Sequence, residues 1–125
     1  MTSLSQTDWV KLQPDLASLK TSIFVGVLVG AGSMILHFSN GATILVQCPF
    51  EVYDRGTSDV GDGVCSLTAV ILFKFLNERV VDVDVDVNGK ITFEFGPGRG
   101  IHIIPSGSGF ESYVLRTSKG VAPVY

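Results

Sequence analysis

The chain is poor in the residues that would make several explanations easy. It has only two cysteines, Cys48 and Cys65, with no metal-type spacing between them. A disulfide framework is therefore not expected, and two reduced thiols are, as in a cytosolic protein. Basic residues are outnumbered, nine Lys and Arg against twelve Asp and Glu, for a net charge of −3. A general nucleic-acid binder would need a basic footprint, so nucleic acid is not an expected partner. The N-terminus has no basic start followed by an apolar run, so no secretory signal is read there. The apolar stretch 23–36 is broken by Gly26, Gly30 and Gly32 and is too short to span a bilayer, so no membrane partner is expected. What remains is 46% apolar with a mean hydropathy of +0.39, the composition of a single globular domain over residues 1–125.

The most informative stretch is residues 80–104. From Val81 to Val87 valine and aspartate alternate without a break. A helix would scatter those valines; a strand puts Val81, Val83, Val85 and Val87 on one face and Asp82, Asp84 and Asp86 on the other. Ile91, Phe93 and Phe95 alternate in the same way, with Asn88-Gly89 between the two runs. A two-residue turn there would set valines beside polar residues. A three-residue loop, Val87-Asn88-Gly89, pairs Val85 with Ile91, Val83 with Phe93 and Val81 with Phe95. The loop Ser39-Asn40-Gly41 likewise pairs Leu36 with Ile44 and Met34 with Val46. Gly96-Pro97-Gly98 is read as the same device, setting Phe93 against Ile101 and Ile91 against Ile103.

The remaining elements follow in order. Residues 8–20 read as a helix with Leu12, Leu16 and Leu19 on one stripe, its ordered part starting near Gln13 because of Pro14. Strands are predicted at 21–29, with a bulge at Gly26, at 33–38 and at 42–48. Residues 54–63 read as one long polar loop and the most mobile segment. Ser66 is placed as the cap of a buried helix over 67–77, with a strand over 70–75 as the competing reading. A Ser/Gly linker at 106–109 precedes a strand at 110–116 and a short last strand at 121–125. The pattern repeats at an offset of 57 residues: Leu19 with Leu76, Gly32 with Gly89, Phe38 with Phe95, Gly41 with Gly98 and Ile44 with Ile101, while Leu28 matches Val85. Phe50-Glu51-Val52-Tyr53 also echoes Phe110-Glu111-Ser112-Tyr113 at an offset of 60. The expected fold class is α+β: two β-meander units, about 12–49 and 67–106, each a helix plus three strands, forming antiparallel sheet packed with two helices.

The pattern FSNG…ILVQCPFEV, then GKITFEFGPGRGIHIIP, then GFESYVL resembles a family of small bacterial proteins known only as a domain of unknown function. The resemblance covers roughly residues 23–115 and rests on turn and core positions. The family usually has Trp in its last strand where this chain has Tyr113. No catalytic residues come with it. The resemblance implies a cytoplasmic protein of the kind that serves as an immunity partner, neutralising a bacterial toxin by direct binding.

No constellation carries recognisable catalysis, metal or cofactor chemistry. Residues 84–91 mimic the start of a calcium loop, but position twelve is Phe95 in place of a bidentate glutamate. Gly96-Pro97-Gly98-Arg99-Gly100 lacks the Lys-Ser/Thr of a phosphate loop and leads into a strand. His37 and His102 have no Ser, Cys or Asp at a catalytic spacing and read as surface histidines. The acidic face is the functional lead. Asp82 is expected to face Glu94, two like charges that repel. Asp82, Asp84, Asp86 and Glu94, with Asp54, Asp59 and Asp62 of the polar loop and Glu111, form the expected contact surface for a basic partner, a cationic toxin domain such as a nuclease. A small-ligand or scaffold module without catalysis is the alternative.

Overall fold

The computed structural model describes residues 6–107, 111–118 and 120–125, with side chains from Leu12 onward. Helix α1 (Gln6–Ala17) leads into strands β1 (Phe24–Gly30), β2 (Ser33–Phe38) and β3 (Thr43–Val46). The chain crosses to a second layer as β4 (Pro49–Asp54) and β5 (Thr57–Asp62). A 3-10 helix, η1 (Ser66–Phe75), precedes β6 (Asp82–Val85), β7 (Ile91–Gly96) and β8 (Arg99–Ile103), and the chain returns as β9 (Tyr113–Thr117) and β10 (Gly120–Val124). Two five-stranded sheets result, in the orders β1-β2-β3-β9-β10 and β5-β4-β8-β7-β6, with antiparallel neighbours throughout. The molecule is thus mostly antiparallel β with few helices: the expected antiparallel sheet and two helical segments are present, but the strands form two five-stranded sheets rather than three-stranded meanders. No helix among the described residues is long and apolar enough to cross a membrane.

The inward phases meet in one core. Met34, Leu36, Ile44, Val46 and Leu115 from the first sheet face Phe50, Val52, Ile91, Phe93 and Ile101 from the second, all at 1% exposure or less. Each such side chain contributes about 1.5–3 kcal/mol on burial. Phe38 stacks on Phe93 across the layers with centroids 5.4 Å apart. Tyr113 is fully buried and its hydroxyl donates to the Gly89 carbonyl at 2.8 Å, tying the first sheet to a hairpin tip of the second.

The register is largely as the alternation requires, except that the expected Val81–Phe95 pair is not formed and the Val81 amide donates to the Glu94 carbonyl instead. Val83 pairs with Phe93, Val85 with Ile91, Phe93 with Ile101, Leu36 with Ile44 and Met34 with Val46. Both three-residue loops close alike. The Gly89 amide donates to the Asp86 carbonyl and the Gly41 amide to the Phe38 carbonyl, each at 3.0 Å, with both glycines near φ +87° (86° and 88°) where other residues are strained. The third loop departs from the device. Gly96 pairs with Arg99 across Pro97-Gly98, and a bulge at Phe95 restores the register. Proline supplies the φ of the first turn position, which favours the shorter turn. At the strand ends Val81 and Val87 are exposed, because the inward phase covers only Val83 and Val85 within β6.

Leu28 is 58% exposed while its sequence match Val85 is buried. The cause is a bulge in β1: the pairing Phe24 with Phe38 shifts by one residue at Gly26, which reverses every later side chain. Residues 54–63 are a hairpin, not a loop, with β4 and β5 joined by Arg55-Gly56, both at positive φ. Its polar composition is compatible with a strand because β5 is a sheet edge, open to water over most of its length. Helix α1 begins well before Gln13 and carries Pro14 in its last turn, where burial of Leu12 and Leu16 offsets the missing donor. The second helix is 3-10 rather than α. Ala69, Leu72 and Phe75 are its buried residues, a spacing of three that one ridge of a 3-10 helix presents inward. Cys65, not Ser66, stands at its N-cap, without a side-chain cap. Of the predicted strand 110–116, Phe110 lies outside the described residues and β9 starts at Tyr113.

The strand orders repeat. Replacing β1, β2, β3, β9 and β10 by β6, β7, β8, β4 and β5 turns the first sheet into the second. The pairs Val46–Tyr113 and Ile103–Phe50 are equivalent, so β4 corresponds to β9 with Phe50 matched to Tyr113. That match sets the equivalence of these strands at an offset of 63 rather than 60. The repeat in strand order thus extends over five strands, and the last two of each set lie in the opposite sheet.

Phe93→Ala is expected to destabilise by about 3–5 kcal/mol in urea unfolding, since it empties the centre of the core. Tyr113→Phe keeps the shape but strands the Gly89 carbonyl, for an expected loss of about 1–2 kcal/mol in the same assay.

Candidate functional site

The outward phase of the second sheet is set by strand pairing. Two rows of side chains cross it from edge to edge. One runs Val60, Glu51, His102, Thr92, Asp84; the next runs Ser58, Tyr53, Gly100, Glu94, Asp82. Alternation explains each membership: in β4 Phe50 and Val52 go to the core, so Glu51 and Tyr53 face out. Neither α1 nor η1 covers this face. Leu12, Leu16, Ala69 and Leu72 all join the core on the inner side.

The centre of the face is ordered. Tyr53 stacks on His102 with centroids 4.7 Å apart and an interplanar angle of 22°. The Tyr53 ring lies across Gly100, where any Cβ would collide with it and with the Phe93 carbonyl. His102 Nδ1 lies 2.8 Å from Thr92 Oγ1, and Nε2 lies 3.9 Å from Glu51 Oε1. Ser58 donates to Glu51 Oε2. Hydroxyl, imidazole and carboxylate thus stand in a row, but the last step is too long for a hydrogen bond. Burial raises the Tyr53 phenol first, and Glu94 and Glu51 add to it. Burial lowers the His102 imidazole, Lys90 lowers it further, and Glu51 acts against both.

The residues singled out in the sequence separate into groups. Asp82, Asp84 and Glu94 stand together on this face and are exposed, with Asp82 directly opposite Glu94. Lys20 approaches Asp82 at 3.8 Å, but both side chains are more than half exposed, so the pair is weak. Asp62 shares the same outward phase at the β5 corner, where its Oδ1 accepts from the Val64 amide. Asp86 is half-buried and organises its turn, its Oδ1 accepting from the Asn88 and Lys90 amides at 2.9 and 3.0 Å. Asp59 is exposed on the other phase of β5, opposite Val52. Asp54 belongs to an ion network: Arg99 reaches it at 3.2 Å while forking onto both Glu78 oxygens at 2.8 and 2.9 Å. The Arg99 guanidinium also lies 5.1 Å above the Phe75 ring, so this arginine clamps the hairpin tip to the end of η1. Glu111 is exposed just before β9, outside the second sheet. His37 is on the outward face of the first sheet, opposite Thr43.

The sequence pattern does not single out Glu51, Tyr53 and Thr92. The apolar alternation of Phe50 and Val52 carried the signal, but it spans too few residues to declare a strand alone. Cys48 is buried, and burial with the nearby Asp62 pushes its thiol up to about 12, so it is not a nucleophile at neutral pH; Cys65 is exposed. Among the described residues no three His, Cys, Asp or Glu side chains gather as a metal-ligating set. The space between the sheets lined by Met34, Leu36, Val46, Phe50, Leu72, Ile101 and Ile103 has no room for a water molecule. No protein-family model, no curated protein and no solved structure matches the chain.

His102 gives a pH dependence with a definite sign. Its folded-state value lies below the ordinary histidine value, so the unfolded chain takes up the proton first as pH falls. Stability present above about pH 6.5 should decline below it and level off once the folded ring is protonated as well. Thermal melts between pH 7.5 and 5 should show that decline, and His102→Gln should make it shallower. Equal slopes for both proteins would exclude His102 as its source.

Proposed function

We propose that this protein is a binding protein of the bacterial cytoplasm that neutralises a toxin by direct contact, through the outward face of its second sheet. The single observation that carries the reading is that face: an uncovered, rigid sheet with Glu51, Glu94, Asp82 and Asp84 around the Tyr53–His102 stack. Asp82 opposite Glu94 is an unfavourable pair in the free protein, and a cationic partner relieves it. The strand ladder holds these groups in place, so little ordering is needed on binding. Aromatic side chains among carboxylates suit an arginine-bearing surface, which stacks and pairs at once. Asp54, Asp59, Asp86 and Glu111 fall outside this centre, while Asp62 lies at its rim. The reading includes no catalytic step: the strand amides beneath the face are engaged in the sheet ladder. The matching strand orders of the two halves support a further proposal, that the chain arose by duplication of a five-strand unit.

The test begins with a pull-down from the native host and mass spectrometry to identify the partner. Asp84→Lys with Glu94→Lys should then slow association about tenfold at low salt and flatten its salt dependence, with no loss of melting temperature, since Glu94→Lys also ends the repulsion with Asp82. Unchanged kinetics at both low and high salt would move the interface off this face.

A further inference from the structure

The four sheet edges are not alike. β5 carries Asp59 and Asp62, β6 carries Asp82 and Asp84, and β10 has Pro123. Charge and proline both discourage the addition of another strand. β1, with the sequence FVGVLVG, has neither, and it lies within residues 21–50, which include no Asp, Glu, Lys or Arg.

The outer edge of β1 is engaged at its start. There the Phe24 amide donates to the Glu78 carbonyl at 2.9 Å and the Asn77 amide to the Phe24 carbonyl at 2.7 Å. Among the described residues, β2 is its only sheet neighbour beyond Phe24. Val25, Leu28 and Val29 are 52%, 58% and 42% exposed. Val29 pairs with the fully buried Met34 and shares its inward phase, yet it remains open to solvent at the corner of the sandwich. Helix η1 packs beside β1 and presents Leu67, Val70 and Phe73 outward at a spacing of three, the ridge opposite its buried one. Beyond Phe24, edge and ridge present apolar side chains, while the charged Glu78 and Arg79 stand beside the start of β1 and Lys74 lies on η1.

We propose that β1 is the edge at which two copies of this chain join, antiparallel about a twofold axis, making one continuous sheet of their two β1-bearing sheets. Open main-chain groups require a strand as occupant. Charge selects which strand. At a β5–β5 or β6–β6 contact, carboxylates of two acidic molecules would be brought together; at β1–β1 none face each other. A basic foreign strand would find no carboxylate on β1 to pair with. Antiparallel pairing across a twofold is self-complementary, each copy offering the same residues to the other. The exposed Leu28 and the η1 ridge then add apolar contact beside the main-chain ladder. This assembly leaves the outward face of the second sheet free and does not depend on its having a partner.

Light scattering coupled to size exclusion tests the proposal on the full chain from low to high micromolar concentration. The wild-type protein should rise toward twice the mass of one chain. Leu28→Lys, at an outward and solvent-exposed position, should hold it at one mass with an unchanged melting temperature. Asp84→Lys, on the far edge of the other sheet, should leave the dimer intact. Hydrogen exchange on the wild type is the check that needs no variant: main-chain amides of residues 25–30 should gain protection as concentration rises. A wild-type chain of single mass at every concentration overturns the proposal, as does a dimer whose 25–30 amides gain no protection.

Discussion

The sandwich depends on the exchange of hairpins between its layers. β4 and β5 leave the first three strands to pair with β8, and β9 and β10 leave the second meander to pair with β3. Each sheet therefore has a central seam, β3–β9 in one and β4–β8 in the other, built from distant parts of the chain. Neither half can complete its sheet alone. The core follows from this interlock, since the apolar phases of both seams point inward, with Ile44 and Leu115 in one and Val52 and Ile101 in the other. The helices take secondary places. α1 packs along β6, and η1 closes the side between β1 and β5.

The same interlock makes the outward face of the second sheet. Glu51 and Tyr53 belong to one half of the chain, and His102, Glu94 and Asp84 to the other. They become neighbours only because β4 crosses over to lie beside β8. A stacked Tyr53–His102 pair on a rigid ladder is a different object from a row of aspartates on a single hairpin. Carboxylates alone steer a partner, whereas an aromatic centre with fixed geometry adds contact area and orientation. The Arg99 clamp onto Glu78 and Asp54 plays another part: it engages Asp54, which the sequence reading placed in the contact surface, and holds the hairpin tips against η1.

The sequence by itself determined the local geometry. Strict alternation placed Val83, Val85, Phe93 and Ile101 on one buried face, and Asn-Gly loops of three residues set the register, because a slip of one residue would expose every apolar side chain. It showed that Asp82 opposes Glu94. Tertiary structure decided what alternation cannot carry. The glycine at position 26 marks the bulge in β1, but only the pairing with β2 shows that it reverses Leu28 to the outward face. A polar edge strand such as β5 has no apolar face and so reads as a loop. An apolar segment with two ridges spaced by three becomes 3-10 or α according to what it packs against, and here one ridge met the core while Leu67, Val70 and Phe73 met water. The crossing of β4 and β9 between layers, which assembles the face around Tyr53 and His102, rests on pairings between strands some fifty residues or more apart, such as Phe50 with Ile103 and Val46 with Tyr113. Those partners were chosen by the sum of the core, and no short stretch of sequence encodes that choice.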